Sequence, residues 1–227
     1  MGVQENIKQV RERIALACAR SGRPPDEVGL VAVTKGVSPE RIKEALAAGV
    51  GICGENRVQE MLAKQPHLPA GIKWHFIGHL QTNKVKYVID RVHLIHSLDS
   101  WRLAREINRL AVREAKKVEV LVQVNVSGEK TKYGLAPGEL NGFLRALEEL
   151  PGLAVRGLMT IAPAVADPEE ARPFFRRLRL LFEEVRALFP GRGIDYLSMG
   201  MTNDYVVAVE EGANLVRIGT AIFGRAG

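Results

Sequence analysis

The chain has 227 residues, of which 46% are hydrophobic and 26% are charged. This length suffices for one barrel-sized domain with a substantial core, and the composition excludes a disordered or fibrous chain. The formal net charge of +6 favours anionic ligands. The basic residues are scattered and do not interleave with aromatic ones, so a basic nucleic-acid-binding module is disfavoured and we expect no nucleic-acid partner.

Targeting signals and membrane spans are not expected. Polar and charged residues interrupt any apolar run near the N-terminus, and Asn6 stands where an N-myristoylation motif requires Ser or Thr. No stretch is long and apolar enough to span a bilayer. Cys18 and Cys53 lack metal-type spacing, and we interpret them as free thiols in a reducing compartment. We therefore expect a cytoplasmic protein with no membrane partner.

The first elements are a helix, a buried strand and a second helix. The first helix is predicted from apolar residues at helical spacing, namely Val3, Ile7, Val10, Ile14 and Cys18. Residues 29–35 (GLVAVTK) stay apolar until Thr34 and Lys35, which is typical of a parallel strand covered on both faces. Ser38 and Pro39 then form a helix start, with an N-cap hydroxyl followed by a proline at the first helical position.

The pattern of strand, loop and helix then repeats along the chain. Further strands are predicted over residues 50–53, 73–77, 92–96, 118–124, 154–159, 194–197 and 214–218. Helices are predicted over residues 55–64, 82–88, 138–147 and 202–209, and after caps at Asp99 and Asp167. This gives eight strands, each but the last followed by a helix, as in a closed eightfold barrel.

We therefore predict an α/β fold: a single (β/α)8 TIM barrel over residues 1–227 with an extra N-terminal helix. A doubly wound open sheet is the alternative, but the first βα turn lacks a G-x-G-x-x-G fingerprint. No linker, low-complexity segment or sharp change in composition divides the chain.

In such a barrel the functional residues lie on the loops that follow the strands. Lys35 follows the first strand, Asn56 the second and His79 the third. The loops after the seventh and eighth strands contain Ser198, Gly200, Gly219 and Thr220, whose hydroxyl and backbone N–H groups suit a phosphate. A helix starting at Thr202 would add favourable dipole potential. A phosphate site facing a strand-end lysine indicates pyridoxal 5′-phosphate (PLP), whose aldehyde forms a Schiff base with a lysine amine.

Several of these residues also have simpler interpretations. A lone strand-end lysine is commonly a solvated charge, and this is the default for Lys84, Lys130 and Lys132, which could otherwise guide an anionic cofactor or receive it transiently. His75, His79, His93 and His96 lack the spacing of metal ligands, so we expect hydrogen-bonded barrel histidines and no metal site. For His79, which follows a strand end, a contact with the ligand is the alternative.

Several runs of the sequence carry a family resemblance. They are VAVTK at residues 31–35, GENRVQE at 54–60, WHFIGHLQTNK at 74–84, HSLDS at 96–100, QVNVSGEKTKYG at 123–134, LSMGMTND at 197–204 and VRIGTAIFG at 216–224. Together they closely resemble the pyridoxal phosphate homeostasis proteins, which are single-domain relatives of the alanine racemase barrel (fold-type III). One departure is Thr202, where the family more often has serine; the hydroxyl is kept.

The resemblance implies roles for particular residues. Lys35 would form the Schiff base, and Arg217 would face the pyridine nitrogen. The phosphate would be held by Ser198, Gly219 and Thr220. Asn56 and His79 would lie near the ring or the mouth of the site.

The resemblance also implies binding and carriage of PLP in the cell, without an established turnover, with PLP-dependent apoenzymes as possible partners. Arg217 stays protonated, so it would donate to the pyridine nitrogen and leave the ring a weaker electron sink. Two-sided proton chemistry needs a second acid or base, and none is expected from a second domain because the chain ends at Gly227. A weak amino-acid racemase is the alternative. We expect a monomer.

Overall fold

The computed structural model describes residues 2–224, in which eight parallel strands form one closed barrel in chain order. The strands are β1 (Gly29–Val33), β2 (Ile52–Glu55), β3 (Lys73–Phe76), β4 (Leu94–Leu98), β5 (Val118–Gln123), β6 (Leu153–Met159), β7 (Tyr196–Ser198) and β8 (Leu215–Ile218). β1 pairs with β8, with Leu30 opposite Val216, and this pairing closes the barrel. The predicted eightfold barrel is confirmed, and every strand lies within two residues of its predicted bounds.

The helices surround the barrel. They are α1 (Val3–Arg20), α2 (Pro39–Ala47), α3 (Val58–Lys64), α4 (Trp101–Arg113), α5 (Leu140–Leu147), α6 (Arg172–Leu188), α7 (Tyr205–Glu210) and α8 (Thr220–Phe223). A 3-10 helix over Thr82–Tyr87 joins β3 to β4. The predicted extra N-terminal helix is α1, and Asn6 Nδ2 donates to the carbonyl oxygen of Ile222 at 2.8 Å, which ties α1 to α8. No helix among residues 2–224 has both the length and the apolar character to cross a membrane.

Three predicted helix starts are wrong. The helix expected from Glu55 begins at Val58, because Glu55 is the last residue of β2. Ser100, not Asp99, caps α4, because its hydroxyl accepts the N–H of Leu103 at 3.4 Å. The helix expected from Thr202 begins at Tyr205. The Asp204 carboxylate accepts the N–H of Met201 at 2.6 Å, and this bond accompanies a turn over residues 202–204.

Two further details differ from the expectation. Ser38 stands at the N-cap position of α2, but its hydroxyl makes no cap hydrogen bond. The last strand is followed by a short helix, α8, which was not predicted. Its run TAIF is only four residues long, which is too short for a helical spacing of apolar residues to be recognised.

Apolar side chains fill two regions. One lies between the barrel and its helices, and the other is inside the barrel, built from Val31, Leu94, Leu121, Met159 and Leu215. Each fully buried side chain of this kind contributes about 1.5–3 kcal/mol to folding. Because side chains alternate along a strand, the residues two positions beyond Leu94, Tyr196 and Leu215 face the same way; they are His96, Ser198 and Arg217. A polar layer thus lies above the apolar interior, towards the carboxyl ends of the strands.

Candidate functional site

The turn after β1 presents Lys35 at the mouth of the barrel. Its side chain is exposed, while the backbone on both sides is fixed. Lys64 Nζ donates to the carbonyl oxygen of Thr34 at 2.6 Å, and the N–H of Gly36 donates to Glu60 Oε2 at 2.8 Å. Gly36 has a φ of 67°, a left-handed conformation that glycine adopts readily. The amine of Lys35 has no partner among residues 2–224, and it stands on a turn whose backbone is held on both sides.

A buried ion pair supports this turn. Glu55, at the end of β2, has a completely buried side chain whose Oε1 accepts from Lys64 Nζ at 2.5 Å. The hydroxyl of Thr34 donates to the same oxygen at 2.7 Å. A buried charge is tolerated only when it is paired and hydrogen-bonded, and both conditions are met here. The cluster therefore joins β2 and α3 to the backbone beside Lys35.

Lys35 shares a cavity with the loop after β8. The cavity has a volume of about 210 Å³, and its lining is Val33, Lys35, Gly36, Val37, Arg41, Gly219, Thr220, Phe223 and Gly224. A Cβ atom at Gly219 would lie 3.2 Å from Cβ of Val33, so a larger residue would crowd β1. The hydroxyl of Thr202 accepts the N–H of Ala221 at 3.3 Å. The loops after β7 and β8 therefore meet at the first turn of α8.

Arg217 lies inside the barrel and is 4% exposed. Its Nη1 donates to Ser198 Oγ at 2.5 Å and its Nη2 to the carbonyl oxygen of Thr160 at 2.8 Å. Burial lowers the pKa of Arg217 to about 10, against the opposing charge of Asp204. The guanidinium is still protonated at neutral pH and only donates. Its Nε–H has no acceptor among residues 2–224 and remains available to a ligand.

Two buried histidines continue from Ser198 into the barrel. His96 Nδ1 lies 3.0 Å from Ser198 Oγ, and His96 Nε2 lies 2.9 Å from His75 Nδ1. Burial lowers the pKa of His75 to about 3, with smaller contributions from His93 and Lys73, and lowers that of His96 well below its usual value. Both rings are therefore neutral at physiological pH. The expectation of hydrogen-bonded barrel histidines is confirmed for these two.

Asn56 and His79 line a second cavity of about 190 Å³, together with Lys84. His79 Nδ1 lies 3.1 Å from Asp99 Oδ2, and its ring stacks on Tyr133 with centroids 3.8 Å apart. The loops after β2 and β3 approach closely at Gly78, where a Cβ atom would lie only 2.2 Å from the Asn56 carbonyl oxygen.

The two other lysines singled out from the sequence lie on the loop after β5. Lys130 is exposed, and Lys132 pairs with Glu129 at 2.9 Å. The sets of residues that line the two cavities include neither of them.

Comparisons with known proteins place the chain in a family. Residues 4–226 match the family model of the alanine racemase N-terminal domain. A pyridoxal phosphate homeostasis protein of Aquifex aeolicus is 47% identical over 225 residues, covering 99% of this chain and 98% of the relative. The chain belongs to the pyridoxal phosphate homeostasis protein family. The resemblance drawn from the sequence motifs is thereby confirmed.

Solved structures agree with this family. PipY of Synechococcus elongatus, whose structure has PLP bound, is 38% identical, with a TM-score of 0.82 over 95% of this chain and 100% of PipY. The alanine racemase of Bartonella henselae is 16% identical, with a TM-score of 0.75 over 99% of this chain and 58% of the racemase. At that identity the likeness shows the fold alone, and it confirms the expected alanine racemase type of TIM barrel.

In this member of the homeostasis protein family, the eight sequence-derived residues fall into three groups. Lys35, Gly219 and Thr220 share the first cavity, whereas Asn56 and His79 share the second. The third group, Ser198, Gly200 and Arg217, is joined by hydrogen bonds in the barrel, since the carbonyl oxygen of Gly200 accepts the N–H of Arg217 at 3.0 Å. The Ser198 hydroxyl contacts Arg217 and His96, and Ser198 is not part of the lining of the first cavity.

Sequence reasoning missed the residues that hold these groups in place. Glu55, Glu60 and Lys64 stand in or beside the motif GENRVQE, but their spacing does not disclose contacts with residues 34 and 36. His96 was noted only as a barrel histidine. The period-2 alternation of β4 and β7 was the available signal that His96 and Ser198 face inward.

Proposed function

We propose that this chain binds PLP through a Schiff base with Lys35 and acts in PLP homeostasis and carriage rather than in efficient catalysis. The observation that carries the proposal is the single cavity shared by Lys35, Gly219 and Thr220. PLP supplies an aldehyde that condenses with a lysine amine and, at its other end, a phosphate. The family name and the PLP-bound structure of PipY support the same cofactor.

The phosphate end is assigned to the loops after β7 and β8. α8 begins at Thr220, whose N–H has no partner among residues 2–224 and suits an anion. The N–H of Ala221 donates to Thr202, and those of Ile222 and Phe223 donate to Gly219. Gly219 lets this loop lie close to β1, since a Cβ atom there would be 3.2 Å from Cβ of Val33. The hydroxyls of Thr220 and Thr202 lie on the same two loops. Thr202 therefore joins Gly219 and Thr220 as a candidate phosphate ligand.

The ring end is assigned to Arg217. A pyridine nitrogen accepts a hydrogen bond, and Arg217 carries free N–H donors with no carboxylate bonded to it among residues 2–224. Because Arg217 stays protonated, the ring nitrogen stays unprotonated. Ser198 and Gly200 then contribute to cofactor binding by holding Arg217, through a side-chain and a main-chain hydrogen bond. Asn56 and His79 are assigned to the rim beside the ring.

A carrier role fits the chemistry of the first cavity better than a racemase does. Exchange of the two hands of an amino acid needs bases on both sides of the α-carbon. Among the residues that line this cavity, Lys35 is the one candidate for such a base, since the guanidinium of Arg41 has donors and no acceptor. A weak amino-acid racemase is the second candidate, and stereochemical exchange of alanine above the rate with free cofactor would support it.

The carrier role implies that bound PLP passes to PLP-dependent apoenzymes in the cell. The exposed position of Lys35 on its turn suits release at the mouth of the barrel. We propose that the protein acts as a monomer, because the closed barrel leaves no unpaired strand edge among residues 2–224 that would require a partner.

The test is titration of the purified protein with PLP, followed by absorption in the near ultraviolet and visible range. The wild type should develop the band of a bound Schiff base, and Lys35→Ala should not. Lys8→Ala, which removes an exposed lysine of α1, is the matched control and should behave as the wild type. A band of wild-type intensity in Lys35→Ala would contradict the proposal.

A further inference from the structure

Four side chains form one continuous hydrogen-bonded chain through the barrel. It runs from Arg217 to Ser198, then to His96 and His75, with successive distances of 2.5, 3.0 and 2.9 Å. All four residues are at most 4% exposed. His75 Nε2 is buried and has no partner among residues 2–224. Solvent is therefore excluded from these hydrogen bonds, so the position of each proton can be assigned from the donors and acceptors of the four side chains.

The assignment of proton positions starts at Arg217, whose guanidinium has donors and no acceptor. Ser198 Oγ must accept the Nη1–H, so the hydroxyl proton of Ser198 is free to point at His96. If it does, His96 Nδ1 is the acceptor and the ring carries its proton on Nε2. His96 Nε2–H then donates to His75 Nδ1, and His75 also carries its proton on Nε2. This arrangement leaves one buried group without a partner, the Nε2–H of His75.

The reverse arrangement is poorer. If His96 Nδ1–H donated to Ser198 Oγ, that oxygen would accept twice, and the hydroxyl proton of Ser198 would have no acceptor within the chain. His75 Nε2 would also be left as an unpaired acceptor. Two buried groups instead of one would lack a partner, and each would lose its hydrogen bonds to water without a replacement. The direction from Arg217 towards His75 is therefore favoured.

A positively charged histidine is disfavoured for a separate reason. The titratable or charged groups that face the two rings are Arg217, His93 and Lys73, and none of them is an acid. Neither ring makes an ion pair with a carboxylate among the described residues; the nearby Glu119 pairs with His93 instead, at 3.9 Å. Charging either ring would bury a second cation near Arg217, so both rings stay neutral.

We propose that His96 and His75 are positioning residues for the cofactor ring: both in the Nε2–H tautomer, they hold the Ser198 hydroxyl as the acceptor for Arg217. This proposal rests on the role of Arg217 proposed above. The hydrogen bond to Ser198 fixes Nη1 of the guanidinium, while the bond to the carbonyl oxygen of Thr160, at 2.8 Å, fixes Nη2. With Nη1 and Nη2 both held, the guanidinium has a fixed orientation, in which its Nε–H keeps no acceptor among residues 2–224.

The tautomers are tested on the protein without added PLP, by ¹⁵N nuclear magnetic resonance of labelled histidine between pH 6 and 8. Both His96 and His75 should show an unprotonated Nδ1 and a protonated Nε2 throughout this range. A protonated Nδ1 on His96, or a charged ring on either residue, would overturn the assignment. This measurement uses the wild type, so it does not depend on the folding of a variant.

The positioning role is tested with two variants of His96 and added PLP. His96→Asn keeps an amide near the position of Nδ1, whereas His96→Leu removes the partner of Ser198. We expect His96→Leu to shift the absorption band of bound PLP and to weaken binding by about tenfold, the scale of one hydrogen bond to a charged group. His96→Asn should keep most of the wild-type band position and most of the wild-type affinity for PLP. His67→Asn, at an exposed histidine, should equal the wild type.

The outcomes separate the two proposals. A band and affinity unchanged in His96→Leu would overturn the positioning role while leaving PLP binding intact. A wild type that has the assigned tautomers but takes up no PLP would overturn the proposed function instead.

Discussion

Lys64 donates a hydrogen bond from Nζ to the carbonyl oxygen of Thr34 at 2.6 Å, one residue before Lys35. The same ammonium pairs with Glu55 at 2.5 Å and with Glu60 at 3.2 Å. Glu60 in turn accepts the N–H of Gly36, one residue after Lys35. A single cation thus links both sides of the turn that presents the amine of Lys35. Preorganisation of this kind would reduce the conformational entropy lost on forming the proposed Schiff base.

The first prediction concerns Lys64→Met. The Glu55 side chain is completely buried, and the Lys64 side chain is 10% exposed. Removing one partner of a buried pair leaves the other charge uncompensated, at a cost of about 3–5 kcal/mol. We expect Lys64→Met to lower the free energy of unfolding by about that amount in urea denaturation.

The matched control is the double variant Glu55→Gln with Lys64→Met. It removes both charges and keeps side chains of similar size, so it should lose less stability than Lys64→Met alone. A double variant less stable than Lys64→Met would show that the charge left on Glu55 is not the cause.

The second prediction concerns Gly200. Its φ is 90°, and a Cβ atom there would lie 2.5 Å from Cβ of Ala208. We expect Gly200→Ala to lower the free energy of unfolding by about 2–4 kcal/mol, from a left-handed backbone costing about 1–2 kcal/mol and overpacking costing about 1–3 kcal/mol. Gly142→Ala in α5 is the control. It faces open space and should gain up to about 1 kcal/mol in helix propensity. Equal stability of the two variants would refute the argument.

The third prediction concerns acid stability. Arg172 Nη2 donates to Glu210 at 2.6 Å and Nη1 to Glu211 at 2.9 Å, which ties α6 to α7. Burial opposes ionisation of both carboxyls, but hydrogen bonds from Arg172, Arg20 and Arg176 outweigh it and lower the pKa of each. Their stabilisation is therefore present above the unfolded pKa, near 4.3, and is lost as the pH falls through the lower folded pKa.

Arg172→Met should remove part of this dependence. We expect lower stability than the wild type at pH 7 and a shallower loss of stability below about pH 4.3, measured by chemical denaturation at a series of pH values. Arg186→Met is the control, because Arg186 is exposed on the same helix and makes no ion pair with a carboxylate among residues 2–224. If Arg172→Met lost stability in acid as steeply as the wild type, Arg172 would not be what lowers these two pKa values.

The barrel was predictable because each strand is a short apolar run bounded by turn residues, and the helices between them carry apolar faces at helical spacing. Helix starts were less predictable. At residues 99 and 100 two capping side chains stand side by side, and sequence alone does not choose between Asp99 and Ser100. At Thr202, the bond from the Met201 N–H to Asp204 competes with an earlier helix start.

The candidate site was predictable in part, because the loops after parallel strands converge at one end of a barrel. The sharing of one cavity by Lys35, Gly219 and Thr220 follows from closure of β8 on β1. The contact between Ser198 and His96, residues 102 positions apart, was not predictable. It depends on contacts across the interior of the barrel, which no local pattern specifies.

A Schiff base between Lys35 and PLP is tested most directly by borohydride reduction of the wild-type protein loaded with PLP, followed by peptide mass mapping. We expect a pyridoxyl adduct on the peptide that contains Lys35, with the adduct absent from Lys35→Ala and retained in Lys8→Ala. An adduct confined to other lysines such as Lys84, Lys130 or Lys132, or a wild type that stays unmodified, would contradict this expectation.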